Sequence, residues 1–266
     1  MSHRGRVRNE NQDHFLVGVL GEERLHVTAT SLDRPPEGVQ GTSPPVFLAM
    51  VADGVGGGPR GEEASRRTIA GVVPELAEKL HRARNGGEDG PAVIRTLSEA
   101  ALSRTRALLE LGELEPASRG MATTLSLWVG MWPRSYLLQV GDSRYYVLRD
   151  GRLRQISRDQ TVAQDLLDRG AISPGGATDP RLANTLSSAI GGVETRPVVT
   201  PVEDGWGVVH LLCSDGLTRH VPDDRIQELL AGAATSRDVA EQLVEEALAG
   251  GGTDNITVVV IRTPPR

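Results

Sequence analysis

Five aspartates set the chemistry that this chain could carry. Asp53 and Asp215 each follow a strongly apolar run, VFLAMVA and VVHLLCS, and each is followed by glycine. Asp254 stands in GGTDNITVVVI, at the opening of another such run; Asp13 stands in NENQDHF, at the entry to the first one; Asp142 lies between the two runs of LLQVGDSRYY. Short apolar runs bounded by turn residues predict buried strands, so these acids are expected at the rims of sheets. Carboxylates from distant positions can then converge at one end of a sheet, where repulsion and the cost of burying charge call for cations. A donor set of carboxylate, backbone carbonyl and water suits hard ions, Mg²⁺ or Mn²⁺. Two such ions about 4 Å apart would activate a water and steady an in-line displacement at phosphorus. A glycine beside the acid lets a backbone carbonyl approach the ion.

Other motifs fall away on their surroundings. Asp-Gly occurs at 53, 89, 150, 204 and 215, and at 89, 150 and 204 it reads as turn chemistry. Gly56, Gly58 and Gly61 spell G-x-G-x-x-G between a strand and a helix. The next strand, near Thr123, comes only after two helices, which breaks the compact unit that a dinucleotide fingerprint needs. Lys79, the only lysine, lies far from any Walker A position, and neither H-E-x-x-H nor G-x-S-x-G occurs. Cys213 is the only cysteine, which excludes disulfides within the chain and Cys-based zinc motifs and fits a reducing compartment. His210 sits in an apolar run and reads as a packed residue.

The elements that must position the acids follow from periodicity. Strands are expected around 15–20, 25–31 and 46–52, then helices over 62–81 and 91–111. TTLSLWVGMW, SYLLQVGD, RYYVLRDG and RLRQIS read as an antiparallel meander with a tight turn at Asp150-Gly151. A short helix over 161–169 leads into an irregular stretch, GAISPGGATDPRLA, and the chain closes as strand, two helices over 222–231 and 237–248, and strand. Strict strand–helix alternation is absent, so the fold class is α+β with mainly antiparallel sheets covered by helix pairs. No repeat or composition break divides the chain, which reads as one domain over 1–266. Its 38% hydrophobic and 24% charged residues are those of a globular protein with a real core. The net charge of −6 argues against general affinity for nucleic acid or an anionic membrane. With no apolar signal core and no membrane-length apolar run, a cytoplasmic location is expected.

In chain order, GRVRNENQD, VADGVGGGPRGEEAS, MATTLSLWVG, QVGDSRYYVLRDGRL, LLCSDGLTRHV and GGTDNITVVVI resemble the successive motifs of the metal-dependent Ser/Thr protein phosphatases, the PPM or type 2C family, particularly its compact bacterial members. The resemblance covers nearly the whole chain. It implies a four-layer αββα sandwich, with two antiparallel sheets face to face, helix pairs outside, and a binuclear Mg²⁺/Mn²⁺ centre at one end. It also implies that Asp53 bridges both ions, that Gly54 offers its carbonyl to one, and that Asp215 and Asp254 hold the other. Asp142 matches the acid that, with Asp215, helps bind a weaker third ion in bacterial relatives. Arg8 matches the arginine that grips the substrate phosphate, a role that suits a guanidinium fork. Asp13 would orient metal-bound water from an outer shell.

Two positions depart from the family pattern. Gln12 stands where many members have Glu, and Val55 stands where animal members carry a proposed general-acid His, which bacterial members often lack. Residues 170–180 fall where the family has a variable flap that governs substrate choice. The resemblance thus implies a monomeric phosphatase that attacks phosphoSer or phosphoThr with metal-activated water, without a phosphoenzyme, on proteins modified by a Ser/Thr kinase. The alternative is the same fold kept as a regulatory or phospho-dependent binding module with weak or absent turnover.

Overall fold

The computed structural model describes residues 1–39, 45–56, 59–85, 90–132, 134–173, 179–203, 205–232 and 235–263. One sheet runs in the order β10 (Val198–Val202), β7 (Arg134–Val140), β6 (Leu125–Met131), β4 (Val46–Val55), β2 (Asp13–Leu20) and β3 (Leu25–Thr30), with β5 (Ala122–Thr123) paired to the end of β4. The other runs β1 (Ser2–His3), β12 (Ile256–Arg262), β11 (Val209–Cys213), β8 (Arg144–Arg149) and β9 (Arg152–Gln155). Every strand pairing among the described residues is antiparallel. Long helices α1 (Pro59–Asn85) and α2 (Gly90–Leu114) pack on the first sheet; α6 (Asp223–Ala231) and α7 (Ser236–Ala249) pack on the second. The shorter α3 (Val162–Asp168), α4 (Pro180–Ala183) and α5 (Asp215–Thr218) lie in the connections.

Strand periodicity explains why the central strands read as unbroken apolar runs. In β4, Leu48, Met50 and Ala52 join the core beneath α1 and α2, while Ala49 and Val51 face the opposite sheet. In β11, Leu211 and Cys213 pack under α6 and α7, while Leu212 faces the first sheet. A strand buried on both faces has no polar side to show, so alternation vanishes from its sequence. Three apolar clusters therefore separate four layers, and each fully buried Leu or Val in them contributes about 1.5–3 kcal/mol. His210 is packed, as expected: it is buried between the sheets, 5.1 Å from the ring of Trp128, with the Tyr145 hydroxyl 2.7 Å from its Nδ1.

Some elements differ from the sequence reading. Strand β4 does not stop at Ala52 but continues through Asp53 to Val55, because Gly54 and Val55 find partners in Thr123 and Ala122 of β5. Helix α1 begins earlier and ends later than expected, with Pro59 at its first turn, where a missing N–H costs nothing. Strand β10 has no counterpart among the expected elements; its Pro201 is tolerated at the sheet edge, where β7 is its one partner among the described residues. The expected turn at Asp150-Gly151 is present, with φ of 51° and 73° between β8 and β9. The Asp-Gly turns at 89 and 204, the middle glycine of G-x-G-x-x-G, and residues 174–178 of the expected flap lie outside the described residues. Among the described residues, no helix is long and apolar enough to cross a membrane.

Candidate metal centre

The strands bring their acid-bearing ends to the same end of the sandwich. Arg8, Asp53, Gly54, Asp142, Asp215 and Asp254 all line one cleft of about 140 Å³. Asp13 does not reach its wall. It opens β2 directly across from Asp53 of β4 and is only 2% exposed, so it stands behind the cleft.

Backbone contacts fix these positions. The Asp53 amide donates to Thr124 Oγ1 at 2.9 Å, and its carbonyl accepts from the Thr124 amide at 2.8 Å and the Thr123 hydroxyl at 2.7 Å. Both peptide groups being satisfied, the side chain is the part of Asp53 left to face the cleft. Gly54 is required there, because a Cβ would collide with the backbone of Gly61 in the first turn of α1. Gly216 is required for the same reason, since a Cβ would strike the Asn255 carbonyl. These two close approaches clamp α1 to β4, and α5 to the start of β12.

Asn255 ties in the N-terminal segment. Its Oδ1 accepts the Gln12 amide at 2.9 Å, and its Nδ2 donates to the carbonyls of Arg4 and Glu10, each at 2.8 Å. Arg8 sits on the loop so held, and its Nη2 donates to Asp254 Oδ2 at 2.7 Å. Gln12 lines the cleft, its carbonyl accepting the Gly54 amide at 3.2 Å and the Ser65 hydroxyl at 2.5 Å.

Crowding shows in the proton affinities. Burial, then the charges of Asp13, Asp215, Asp142 and Asp254, drives Asp53 well above the ordinary carboxylate range. Burial and the neighbouring Asp215 lift Asp142 to about 8. Asp13 is lifted to about 7 by burial, although the Ser214 hydroxyl donates to its Oδ2 at 2.7 Å. Burial also raises Asp215, against the opposing pull of Arg219, whose Nε donates to Asp215 Oδ2 at 2.9 Å.

Among the described residues, no three His, Cys, Asp or Glu side chains stand as a ready ligand shell. Two of the acids are held by arginines instead, Asp254 by Arg8 and Asp215 by Arg219. The donors nonetheless fit a hard cation. Asp215 Oδ1 and Asp13 Oδ1 are buried with no hydrogen-bond partner, a condition that costs about 1–3 kcal/mol or more for each group and that a cation or its water relieves. The side chains and carbonyls available are oxygen donors, the set that Mg²⁺ and Mn²⁺ prefer. Asp53, Asp215 and Asp254, with the Gly54 carbonyl, are the residues that would hold them.

Sequence reasoning missed Arg219, Thr124, Ser214 and Asn255. Arg219 had a readable signal, standing four residues after Asp215 at the spacing that pairs side chains on a helical turn. Ser214 and Asn255 are neighbours of Asp215 and Asp254, but their long-range bonds exist only in the folded chain.

The family model for protein phosphatase 2C matches residues 38–249. The serine/threonine protein phosphatase PstP of Mycobacterium tuberculosis is 38% identical over 213 residues, which are 80% of this chain and 40% of that protein. This chain thus spans 40% of the length of that curated relative. The serine/threonine phosphatase stp of Listeria monocytogenes is 29% identical over 261 residues, 97% of this chain and 92% of that one. Among solved structures, that of M. tuberculosis PstP/Ppp superposes with a TM-score of 0.77 at 33% identity, covering 100% of this chain and 97% of that chain. The PstP catalytic domain in complex with two manganese ions gives 0.73 at 33% identity, covering 99% and 96%. Family model, relatives and fold agree with the αββα arrangement described above: the chain belongs to the protein phosphatase 2C family.

Proposed function

We propose that this chain is a Mg²⁺- or Mn²⁺-dependent protein phosphatase that hydrolyses phosphoserine and phosphothreonine esters without a phosphoenzyme. The observation that carries the reading is that Asp53, Asp142, Asp215 and Asp254, from four distant positions, share one small cleft with Arg8. Asp53, Asp215 and Asp254, with the Gly54 carbonyl, would hold two such ions. Bound there, the pair of ions would supply an activated water and neutralise the charge that develops at phosphorus.

The chain's own side chains do the rest. Arg8 is half-exposed on the cleft wall and paired there with Asp254, so its guanidinium fork is within reach of phosphate oxygens. Asp13, behind Asp53, has one carboxylate oxygen pinned by Ser214 and the other left to orient solvent. Gln12 contributes a neutral amide where many relatives have a carboxylate. Val55 stands on the cleft where a histidine would serve as acid, and among the described residues no histidine lines it. Protonation of the leaving group then falls to solvent or to an acid of the cleft.

The same reading assigns phosphoproteins as substrates, products of a Ser/Thr kinase, with the chain acting as a monomer in the cytoplasm. The test is hydrolysis of a phosphothreonine peptide by the purified chain. Turnover is expected with Mn²⁺ or Mg²⁺, vanishes in chelator, and falls by about 10²-fold or more in Asp53→Ala and Asp215→Ala proteins that remain folded. Turnover independent of metal overturns the reading. Tight Mn²⁺ binding without turnover would replace it with a phosphatase-fold binding module.

A further inference from the structure

Arg219 lines the cleft four residues after Asp215 and has no part in the metal or phosphate roles assigned above. It caps the C-terminus of α5, its amide donating to the Asp215 carbonyl at 2.9 Å. Its Nε and Nη2 both donate to Asp215 Oδ2, which leaves Asp215 Oδ1 as the buried oxygen without a partner.

Its location is equally specific. Adjoining the cleft is a second hollow of about 320 Å³, lined by residues of α3, α4 and the β7–β8 turn. Asp142, Asn184, Asp215 and Arg219 belong to the walls of both spaces and form the partition between them. The other cation of the hollow, Arg144, is committed elsewhere: its Nε donates to both Asp159 oxygens at 3.0 and 3.1 Å, and its Nη2 donates to one of them at 2.7 Å. Arg219 is instead ion-paired with Asp215 and lines both spaces together with Asp142.

We propose that Arg219 is a resident cation that takes the place of a third divalent ion between Asp142 and Asp215, so that the cleft saturates at two ions. This inference rests on the metal-dependent reading above. The chemistry is charge balance. The Arg219 guanidinium is ion-paired with Asp215 and shares both walls with Asp142, so a further dication placed between the two acids would meet that charge at close range and compete for an oxygen that two N–H groups hold. The role is one of positioning as well: with Oδ2 pinned, Asp215 presents Oδ1 to the cleft.

Calorimetric titration with Mn²⁺, paired with counting of bound Mn²⁺ by electron paramagnetic resonance, tests this on the chelated whole chain. Wild type is expected to bind two ions, and Asp142→Asn is expected to leave that number unchanged. Arg219→Gln is expected to gain a third ion, and adding Asp142→Asn to it should remove that ion again. Arg219→Lys, which keeps the charge, should stay at two and serves as the folded control by thermal melting. Wild type that binds three ions, the third lost in Asp142→Asn, overturns the inference, as does Arg219→Gln that stays at two. Wild type that binds no Mn²⁺ overturns the metal-centre reading itself, so the two failures are distinguishable.

Discussion

At the hairpin between β8 and β9, Asp150 and Gly151 adopt left-handed φ of 51° and 73°, and a Cβ on Gly151 would meet nothing within 4 Å. At the cleft, Asp53-Gly54 and Asp215-Gly216 carry the same dipeptide, but there the glycine is demanded by an opposing backbone, not by φ. The acids differ as sharply. Asp150 caps a surface turn, whereas burial and its acidic neighbours push Asp53 well above the ordinary carboxylate range. One pair of residues therefore answers two physical needs. In the hairpin, glycine supplies a conformation; in the cleft, it supplies the closeness that lets α1 and the start of β12 seal a charged pocket.

The largest effect that would sharpen this contrast is on pH. An acid whose folded-state pKa is raised takes up a proton on folding, so its penalty grows as pH rises from the unfolded value towards the folded one. For Asp13 the window runs from 3.8 to about 7, and for Asp142 from 3.8 to about 8. Chelated protein is expected to lose stability steadily from pH 5 to pH 8, and Mn²⁺ should restore more at pH 8 than at pH 5. Thermal melting across that range checks it, and a melting temperature that rises with pH in chelator would break the electrostatic half of the contrast.

The next effect is steric. Gly54→Ala and Gly216→Ala force a methyl group into backbone and should each cost about 2–3 kcal/mol, read by urea unfolding, together with turnover. The smallest is at the hairpin. Gly151→Ala has space but the wrong φ, so it should cost about 1 kcal/mol and leave turnover unchanged. Equal costs at Gly54 and Gly151 would erase the distinction.

Much of this contrast was legible before any coordinates, because strand ends are marked by apolar runs that stop at acids and glycines. Asp53, Asp142, Asp215 and Asp254 were singled out for that reason, and the cleft contains all four. The order of strands and helix pairs likewise followed from periodicity, since unbroken apolar runs bounded by turn residues allow few other arrangements. What stayed hidden depended on pairing across the chain. Strand β10 carries a proline and is half-exposed along its length, so only its partner β7 identifies it. The continuation of β4 past Asp53 needed β5, which lies far along the sequence. Asp13, expected as an outer-shell acid, lies behind the cleft, because the register of β2 on β4 places it opposite Asp53 and the Ser214 hydroxyl donates to its Oδ2. Arg219 was passed over because an arginine on a short turn resembles any solvated arginine until Asp215 is seen beside it.

The central claim is that buried acids crowd together at a cost that divalent cations remove. Thermal melting of wild type and Asp53→Ala at pH 8, in chelator and then in saturating Mn²⁺, tests it most directly. The account predicts a crossing: Asp53→Ala melts higher than wild type in chelator, because one crowded, buried acid is gone, and wild type gains far more than the variant when Mn²⁺ is added. An Asp53→Ala protein that melts lower in chelator, or that gains as much from Mn²⁺ as wild type does, would contradict it.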